Sequence, residues 1–192
     1  MIIATSNQWV LTLATFRASG YDGASLADIA SATGLGRSSL YHHFPGGKEE
    51  MASAVLDRVD AWLDANVIAP LQNAGMPAER LDRMVGALDA FYDSGRNRCI
   101  LAAFVVGQSR QLLGKRLAAV FERWIAALAA VACDGGVEPD EARRRAEAAV
   151  IAVQGAVILA GALDDPKPFK TMLADLPRGI LDGGIENRDK RA

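Results

Sequence analysis

Apolar residues recur at helical spacing along almost the whole chain, a pattern that leaves room for little except helices packed on helices. No run of alternating β-branched residues stands out, and no Asn-Gly or Asp-Gly pair joins two such runs. Asp134-Gly135 lies between Ala-rich helical stretches and reads as a loop. The spacing therefore predicts an all-α chain of about nine helices. Trp9, Leu13 and Phe16 share one stripe of a first helix that ends before Gly20. Ser25 and Asp28 have the spacing that satisfies orphan amides at the start of a second. A fourth runs from Gly46-Gly47 to a stop at Pro70, burying Met51, Val55, Val59, Trp62 and Leu63.

Pro77 suits the first turn of a fifth helix, with Leu81, Met84, Val85, Leu88, Phe91 and Tyr92 on one stripe. A short apolar helix from about Cys99 to Val106 precedes a longer one carrying Leu117, Val120, Phe121, Trp124, Leu128 and Val131. Gly135-Gly136 ends it. Pro139 opens a helix that reaches Leu163, and Asp164-Asp165-Pro166 separates that from a last helix with Phe169, Met172, Leu173 and Leu176. The tail from Glu186 to Ala192 is polar and expected to fray.

Composition narrows the function. With 51% hydrophobic and 23% charged residues in 192, the chain is globular rather than disordered. Lys and Arg number 21 against 23 Asp and Glu, which excludes a uniformly basic protein but not a local basic patch. Two cysteines, Cys99 and Cys133, build neither a disulfide framework nor a four-thiolate zinc site, and read as free thiols in a reducing cytosol. The start, MIIATSNQWV, lacks the basic segment of a signal peptide. The most apolar stretch, Ala148 to Leu163, is shorter than the roughly 20 residues that span a bilayer. A cytoplasmic protein with no membrane partner is expected.

Catalytic motifs are absent. Gly34-Leu35-Gly36 continues as Arg37-Ser38-Ser39 and does not complete a dinucleotide fingerprint, and Gly47-Lys48 followed by Glu49 is no P-loop. There is no G-x-S-x-G, H-E-x-x-H or C-x-x-C. The chain is read as a non-enzyme without a cofactor. His42 and His43 are neighbours on one helix and point in different directions, with no third ligand nearby, so no metal site is expected.

The informative segment is Ser25 to Phe44, SLADIASATGLGRSSLYHHF. Two short helices meet at Gly34, where a left-handed backbone costs other residues energy. Ala30 is small where the helices cross, and Leu40 returns to the same core. This is the spacing of a helix-turn-helix, whose second helix lies in the major groove of DNA.

From Gly20-Tyr21 through GLGRSSLYHHFPGGKEEM, the chain resembles the N-terminal domain of TetR-family transcriptional repressors. Leu40 to Lys48 resembles the LmrA/YxaF-like branch in particular. RCILAAFVVG, the long helix with Trp124, and PDEARRRAEAAVIAVQGAVILAGALDDPKPF extend the likeness over most of the chain. The resemblance implies a helix-turn-helix DNA-binding domain over residues 1–47 and a ligand-binding, dimerising bundle over 48–192. The recognition helix would run from Arg37 to His43. Arg37, Ser38 and Tyr41 would reach base edges, with Arg37 able to pair bidentately with guanine. Ser25, Ser39, His43 and Lys48 match phosphate-holding positions, helped by amides at the starts of the second and fourth helices. His42 belongs to the same contact set.

The front of the chain departs from the family. Its first 16 residues contain no Lys or Arg, and Thr15 stands where Leu is common. From Met1 to Asp60, four basic residues (Arg17, Arg37, Lys48, Arg58) face six acidic ones. A weak non-specific grip on DNA is expected, with specificity resting on a few placed contacts.

The resemblance implies that the rear helices build an effector cavity, here lined by Leu88, Tyr92, Cys99, Phe104, Phe121, Trp124 and Gln154 and suited to a small hydrophobic or aromatic molecule. Gln154 is a lone amide in an apolar helix, and a buried amide needs partners. Gly155, Ala156, Leu159, Ala160, Leu163, Phe169, Met172 and Leu176 combine small and bulky residues as a two-fold helical homodimer interface would. The expected function is a ligand-responsive repressor holding a pseudo-palindromic operator. The second reading is a dimeric helical small-molecule-binding or interaction protein with little DNA affinity, motivated by the charge deficit.

Overall fold

Glycine and proline punctuate the chain much as the pattern predicts. The computed structural model describes residues 6–182, so the polar tail from Glu186 lies outside the described residues. Helix α1, Ser6–Gly23, is broken at Gly20 (φ 68, ψ 179). Helices α2, Leu26–Thr33, and α3, Arg37–His43, meet at Gly34 in the left-handed region (φ 69, ψ 13), as the turn requires. Then come α4 (Gly47–Leu63), a π-helical turn (Asp64–Ile68) and α5 (Ala69–Gln72) as one continuous rod. Helices α6 (Pro77–Phe91), α7 (Ile100–Phe104), α8 (Gln108–Asp134), α9 (Pro139–Leu163) and α10 (Lys167–Leu181) complete it. Among the described residues there are nine continuous helices and no strand.

Pro70 does not stop the fourth helix. It sits in the first turn of α5, and the chain passes it through the wider π turn, with Val67, Ile68 and Leu71 all buried. Apolar burial on both sides of the proline outweighs one missing backbone hydrogen bond.

The chain forms two compact units. The first comprises residues up to Ala61 together with Arg98–Ala118. Its core gathers Phe16, Ile29, Leu40, Met51 and Leu56, and Phe104 meets Phe16 edge-on at 5.4 Å between centroids. Polar ties join its two chain segments. Arg98 Nη1 donates to Ala18 O (3.2 Å), the Gln108 N–H donates to Asp22 Oδ2 (3.1 Å), and Arg116 Nη1 donates to Ser53 Oγ (2.7 Å) while pairing with Asp57. Gly107 adopts φ 69, and a Cβ there would overlap the Asp22 carboxylate, so glycine is required.

The second unit comprises Trp62–Asn97 and the chain from Ala119 onward. Leu81, Met84, Leu88, Trp124, Leu128, Val153 and Phe169 are buried in it. Gly95 (φ 91) lies so close to Phe169 that an added Cβ would sit 2.9 Å from the Phe169 Cβ. Arg80, 6% exposed, is neutralised by Asp134 (2.7 Å) and donates to Leu71 O (3.0 Å), as a buried guanidinium requires.

Candidate nucleic-acid interface

The interface begins with a helix start. Ser25 caps α2: its Oγ accepts from the Asp28 N–H (3.1 Å) and donates to Asp28 Oδ2 (2.6 Å), and Asp28 Oδ2 accepts the Ser25 N–H (2.9 Å). These bonds, the side-chain hydroxyl first, hold the Asp28 carboxyl below the usual carboxylate range. The hydroxyl expected to hold phosphate is thus committed to its own helix. The first-turn amides left over by the box belong to Leu26 and Ala27.

Gly34 then turns the chain into α3. Only Leu40 of its seven residues is buried; Arg37, Ser38, Ser39, Tyr41, His42 and His43 are exposed. Arg37 has no protein partner among the described residues, so its five donors remain available. Tyr41 is 51% exposed, a rim residue rather than a core one. The His42 and His43 rings lie edge-to-face at 5.4 Å. No metal-ligating group forms among the described residues.

At the start of α4, Lys48 Nζ donates to Tyr21 O (3.0 Å) and sits 4.5 Å from the Tyr21 ring centroid. Burial first, then the Glu49 and Asp22 charges, raises the Tyr21 hydroxyl above its ordinary pKa. The Gly46 N–H is taken by Glu50 Oε2 (2.8 Å), so at this helix start an incoming phosphate would displace a carboxylate. Ser25, Leu26, Ala27, Arg37, Tyr41 and Lys48 together line one open depression of about 380 Å³. Four of the predicted contact residues therefore share a surface. The amides expected at the start of the second helix are those of Leu26 and Ala27, which the capping box leaves unsatisfied.

The charge deficit of the first 60 residues is altered by the fold. Arg98–Ala118 brings four basic residues and no acidic one into the same unit, which then carries eight Lys and Arg against six Asp and Glu.

The residues expected to line a cavity are divided. Cys99 and Phe104 belong to the first unit, where Phe104 is packed on Phe16; Leu88, Tyr92, Phe121, Trp124 and Gln154 belong to the second. Trp124 is 1% exposed, and its Nε1 has no hydrogen-bond partner among the described residues. Neither amide atom of Gln154 has one either, although both are buried. No neighbour among the described residues satisfies the lone amide.

The expected dimer set is divided in the same way. Ala156, Ala160, Phe169 and Leu176 are buried within the protomer, and Met172 is half-buried. Gly155, Leu159 and Leu163 are exposed, and with Ile151 and Ile158 they form an unpaired apolar face of α9. Ile151 and Ile158 were overlooked; their i, i+4, i+7 spacing with Gly155 carries the signal.

Comparison with known proteins agrees with this geometry. A family model described as bacterial regulatory proteins, tetR family, matches residues 11–55. A second, described as transcriptional regulator LmrA/YxaF-like, C-terminal domain, matches residues 77–174. An uncharacterized HTH-type transcriptional regulator of Mycobacterium tuberculosis is 28% identical over 178 residues, covering 84% of this chain and 90% of that one. The HTH-type transcriptional regulator LmrA of Bacillus subtilis is 30% identical over 90 residues, 46% of this chain and 48% of its own. A TetR transcriptional regulator from Legionella pneumophila superposes with a TM-score of 0.78 at 22% identity, over 94% of this chain and all of that one. The TetR-family regulator CifR, solved with 26-bp double-strand operator DNA, gives 0.73 at 18% identity, over 93% and 97%. These superpositions share the fold.

Proposed function

Because this chain belongs to the TetR family of bacterial transcriptional regulators, with an LmrA/YxaF-like C-terminal domain, we propose that it is a ligand-released repressor acting as a homodimer on a pseudo-palindromic operator. The family and the relatives are regulators, not enzymes. In this reading residues 1–47 touch DNA, residues 48–192 hold the effector and the second protomer, and the protein works in the cytoplasm.

The depression that gathers Ser25, Arg37, Tyr41 and Lys48 carries the proposal. Arg37 would pair with a guanine edge, and Ser38 and Tyr41 would meet neighbouring bases. Ser39, His43, Lys48 and the Leu26 and Ala27 amides would take phosphate oxygens. Two-fold symmetry would set two recognition helices about 34 Å apart, one DNA turn. The exposed face of α9 would pair with its copy, which suits an isologous contact of small and bulky side chains.

On the effector side, the orphan Trp124 N–H and Gln154 amide support a mostly apolar ligand with a few polar groups, since a buried polar atom without a partner costs roughly 1–3 kcal/mol. Release requires that the effector bind one arrangement of the rear helices more tightly than the other, with α4 carrying the difference forward.

Fluorescence anisotropy with duplexes from the region upstream of its own gene tests the DNA half. Binding should be selective and salt-sensitive, and Arg37→Ala should lower selectivity more than Lys48→Ala. Equal losses on every sequence would remove Arg37 as a base reader. For the effector half, candidate aromatic ligands should quench Trp124 when Trp9 and Trp62 are replaced; operator affinity unchanged at saturating ligand would end the ligand-release reading.

A further inference from the structure

The groups expected to meet DNA differ in what holds them before DNA arrives. Arg37 and Tyr41, the base readers, have no hydrogen-bond partner among the described residues. Three phosphate-side groups are already tied. Asp28 Oδ2 accepts the Ser25 N–H (2.9 Å) and hydroxyl (2.6 Å), Lys48 Nζ donates to Tyr21 O (3.0 Å), and Glu50 Oε2 accepts the Gly46 N–H (2.8 Å). Two of these ties are carboxylates at helix starts, where backbone amides and the helix dipole favour an anion. A carboxylate there brings the charge and acceptor oxygens that a phosphate would bring.

The tie at Gly46 is the more exposed to exchange, because it lies against the recognition helix. Glu50 folds back from the first turn of α4: a Cβ on Gly46 would lie 3.3 Å from both Glu50 Cβ and Glu50 Oε2, so this side chain fills the space beside that residue. A Cβ on the next residue, Gly47, would lie 3.8 Å from Tyr41 Cε1. Lys48 follows, lining the same depression as Arg37 and Tyr41. Glu49 is the neighbouring acid; it is exposed and holds no backbone amide among the described residues.

We propose that Glu50 is a built-in competitor for DNA phosphate and sets the affinity of the reading unit for any duplex. In the free protein its carboxylate holds the Gly46 N–H. On DNA a phosphate oxygen takes that donor and the carboxylate swings out. The exchange opposes binding equally on every sequence, because phosphates carry no base identity. Glu50 therefore loosens the grip on all DNA and leaves selection to Arg37 and Tyr41. A capping role alone gives the opposite sign, since a lost cap loosens the start of α4 and weakens binding. The inference rests on the proposed function, in which these residues face a duplex.

The test is anisotropy titration of the full chain with two probes, a duplex selected by the wild-type chain from a random-sequence library and a scrambled duplex of the same composition. Glu50→Gln keeps an acceptor for the Gly46 N–H and removes the charge. It should tighten binding to both duplexes by the same factor, about fivefold, and steepen the salt dependence by up to about one phosphate contact. Glu50→Asp keeps the charge on a side chain one methylene shorter, which reaches Gly46 less well. It should tighten both by about twofold to threefold, and serves if Glu50→Gln fails to fold. Glu49→Gln removes a charge of the same sign from the same turn and should change either affinity by less than twofold. Unchanged or weakened binding in both Glu50 variants overturns the proposal, as does a gain in Glu49→Gln equal to that in Glu50→Gln, or a gain confined to one duplex. A wild-type chain that selects no duplex overturns the DNA reading and the competitor together; a wild-type chain that binds while the Glu50 variants bind no better overturns the competitor alone.

Discussion

Helices α3 and α9 treat solvent in opposite ways. The recognition helix buries Leu40 and exposes its other six residues, all polar or amphipathic. Helix α9 exposes Ile151, Gly155, Ile158, Leu159 and Leu163 along one face. A polar surface loses little by meeting water, so α3 can wait for DNA as a solvated helix. An apolar face forgoes about 25 cal/mol for every Å² left uncovered. A continuous one argues for a permanent cover, and an occasional visitor would not suffice. In the proposed function the difference separates two kinds of interface, one used transiently and one filled in the working protein. It also shows where each helix gets its stability. Seven residues are too few for an isolated helix, so α3 depends on Leu40 and on its neighbours; α9, at 25 residues, does not depend on a single anchor.

The largest effect should come from charging the apolar face. Ile158→Glu with Leu159→Glu places carboxylates where two copies would meet. We expect a monomer by sedimentation with helical content intact, and a loss of operator affinity on the order of a hundredfold, because about 3 kcal/mol or more of half-site contacts no longer act together. A doubly charged protein that still sediments as a dimer would break the comparison at its root. Next in size is Leu40→Ala. Removing a fully packed leucine typically costs about 2–5 kcal/mol. DNA binding should weaken, by less than in the doubly charged protein, while sedimentation still reports a dimer, since the face on α9 is untouched.

These positions differ in how plainly the sequence announces them. Leu40, Gly34 and the Ser25–Asp28 box are local signals, readable within a few residues, and the structure has them as expected. Pro77 and Pro139 open helices for the same reason. Pro70 misleads because its outcome depends on burial of Val67, Ile68 and Leu71, which the chain settles only after packing. The charge balance of the reading unit misleads because Arg98–Ala118 joins it through contacts some 80 residues apart, such as Arg98 to Ala18 O. On α9 the helical period gives two apolar stripes. It does not say which one α10 covers, so the pattern alone groups Ala156 and Ala160 with Leu159, although they face inward.

Smaller again is the effect of single polar contacts on α3. Arg37→Ala should cost about 1–3 kcal/mol on the preferred sequence, with selectivity relaxed at one base position. Lys48→Ala should weaken all sequences alike and lower the salt slope by about one, if its ammonium leaves the Tyr21 carbonyl for phosphate. Anisotropy titrations against single-base variants of the operator, at two salt concentrations, separate the two. An unchanged salt slope for Lys48→Ala would mean that its bond to Tyr21 O persists on DNA and that its work is internal.

The smallest effect distinguishes the two units by the origin of their electrostatics. Asp28 in the reading unit is held below the ordinary carboxylate range by hydrogen bonds from Ser25. Glu122 and Glu141 in the other unit are lowered too, by hydrogen bonds first and charge second, from Arg143 for one and from Arg145 with Arg144 for the other. All three have a folded pKa below the unfolded one. Each therefore stabilises the fold above its unfolded pKa, and the contribution is lost as pH falls through the folded value, from about pH 4 downward. Ser25→Ala should cost about 1 kcal/mol at neutral pH and return Asp28 toward its ordinary titration, with the difference from wild type closing in acid. Salt then splits the groups. A shift supplied by a neutral hydroxyl and a backbone amide survives high ionic strength, whereas one supplied by guanidinium charge is screened. Carboxyl-carbon NMR titrations at low and 1 M salt should leave Asp28 in place and raise Glu122 and Glu141. If Asp28 rises with them, charge rather than the capping box holds it down, and the start of α2 is electropositive enough to attract phosphate without displacing its own cap.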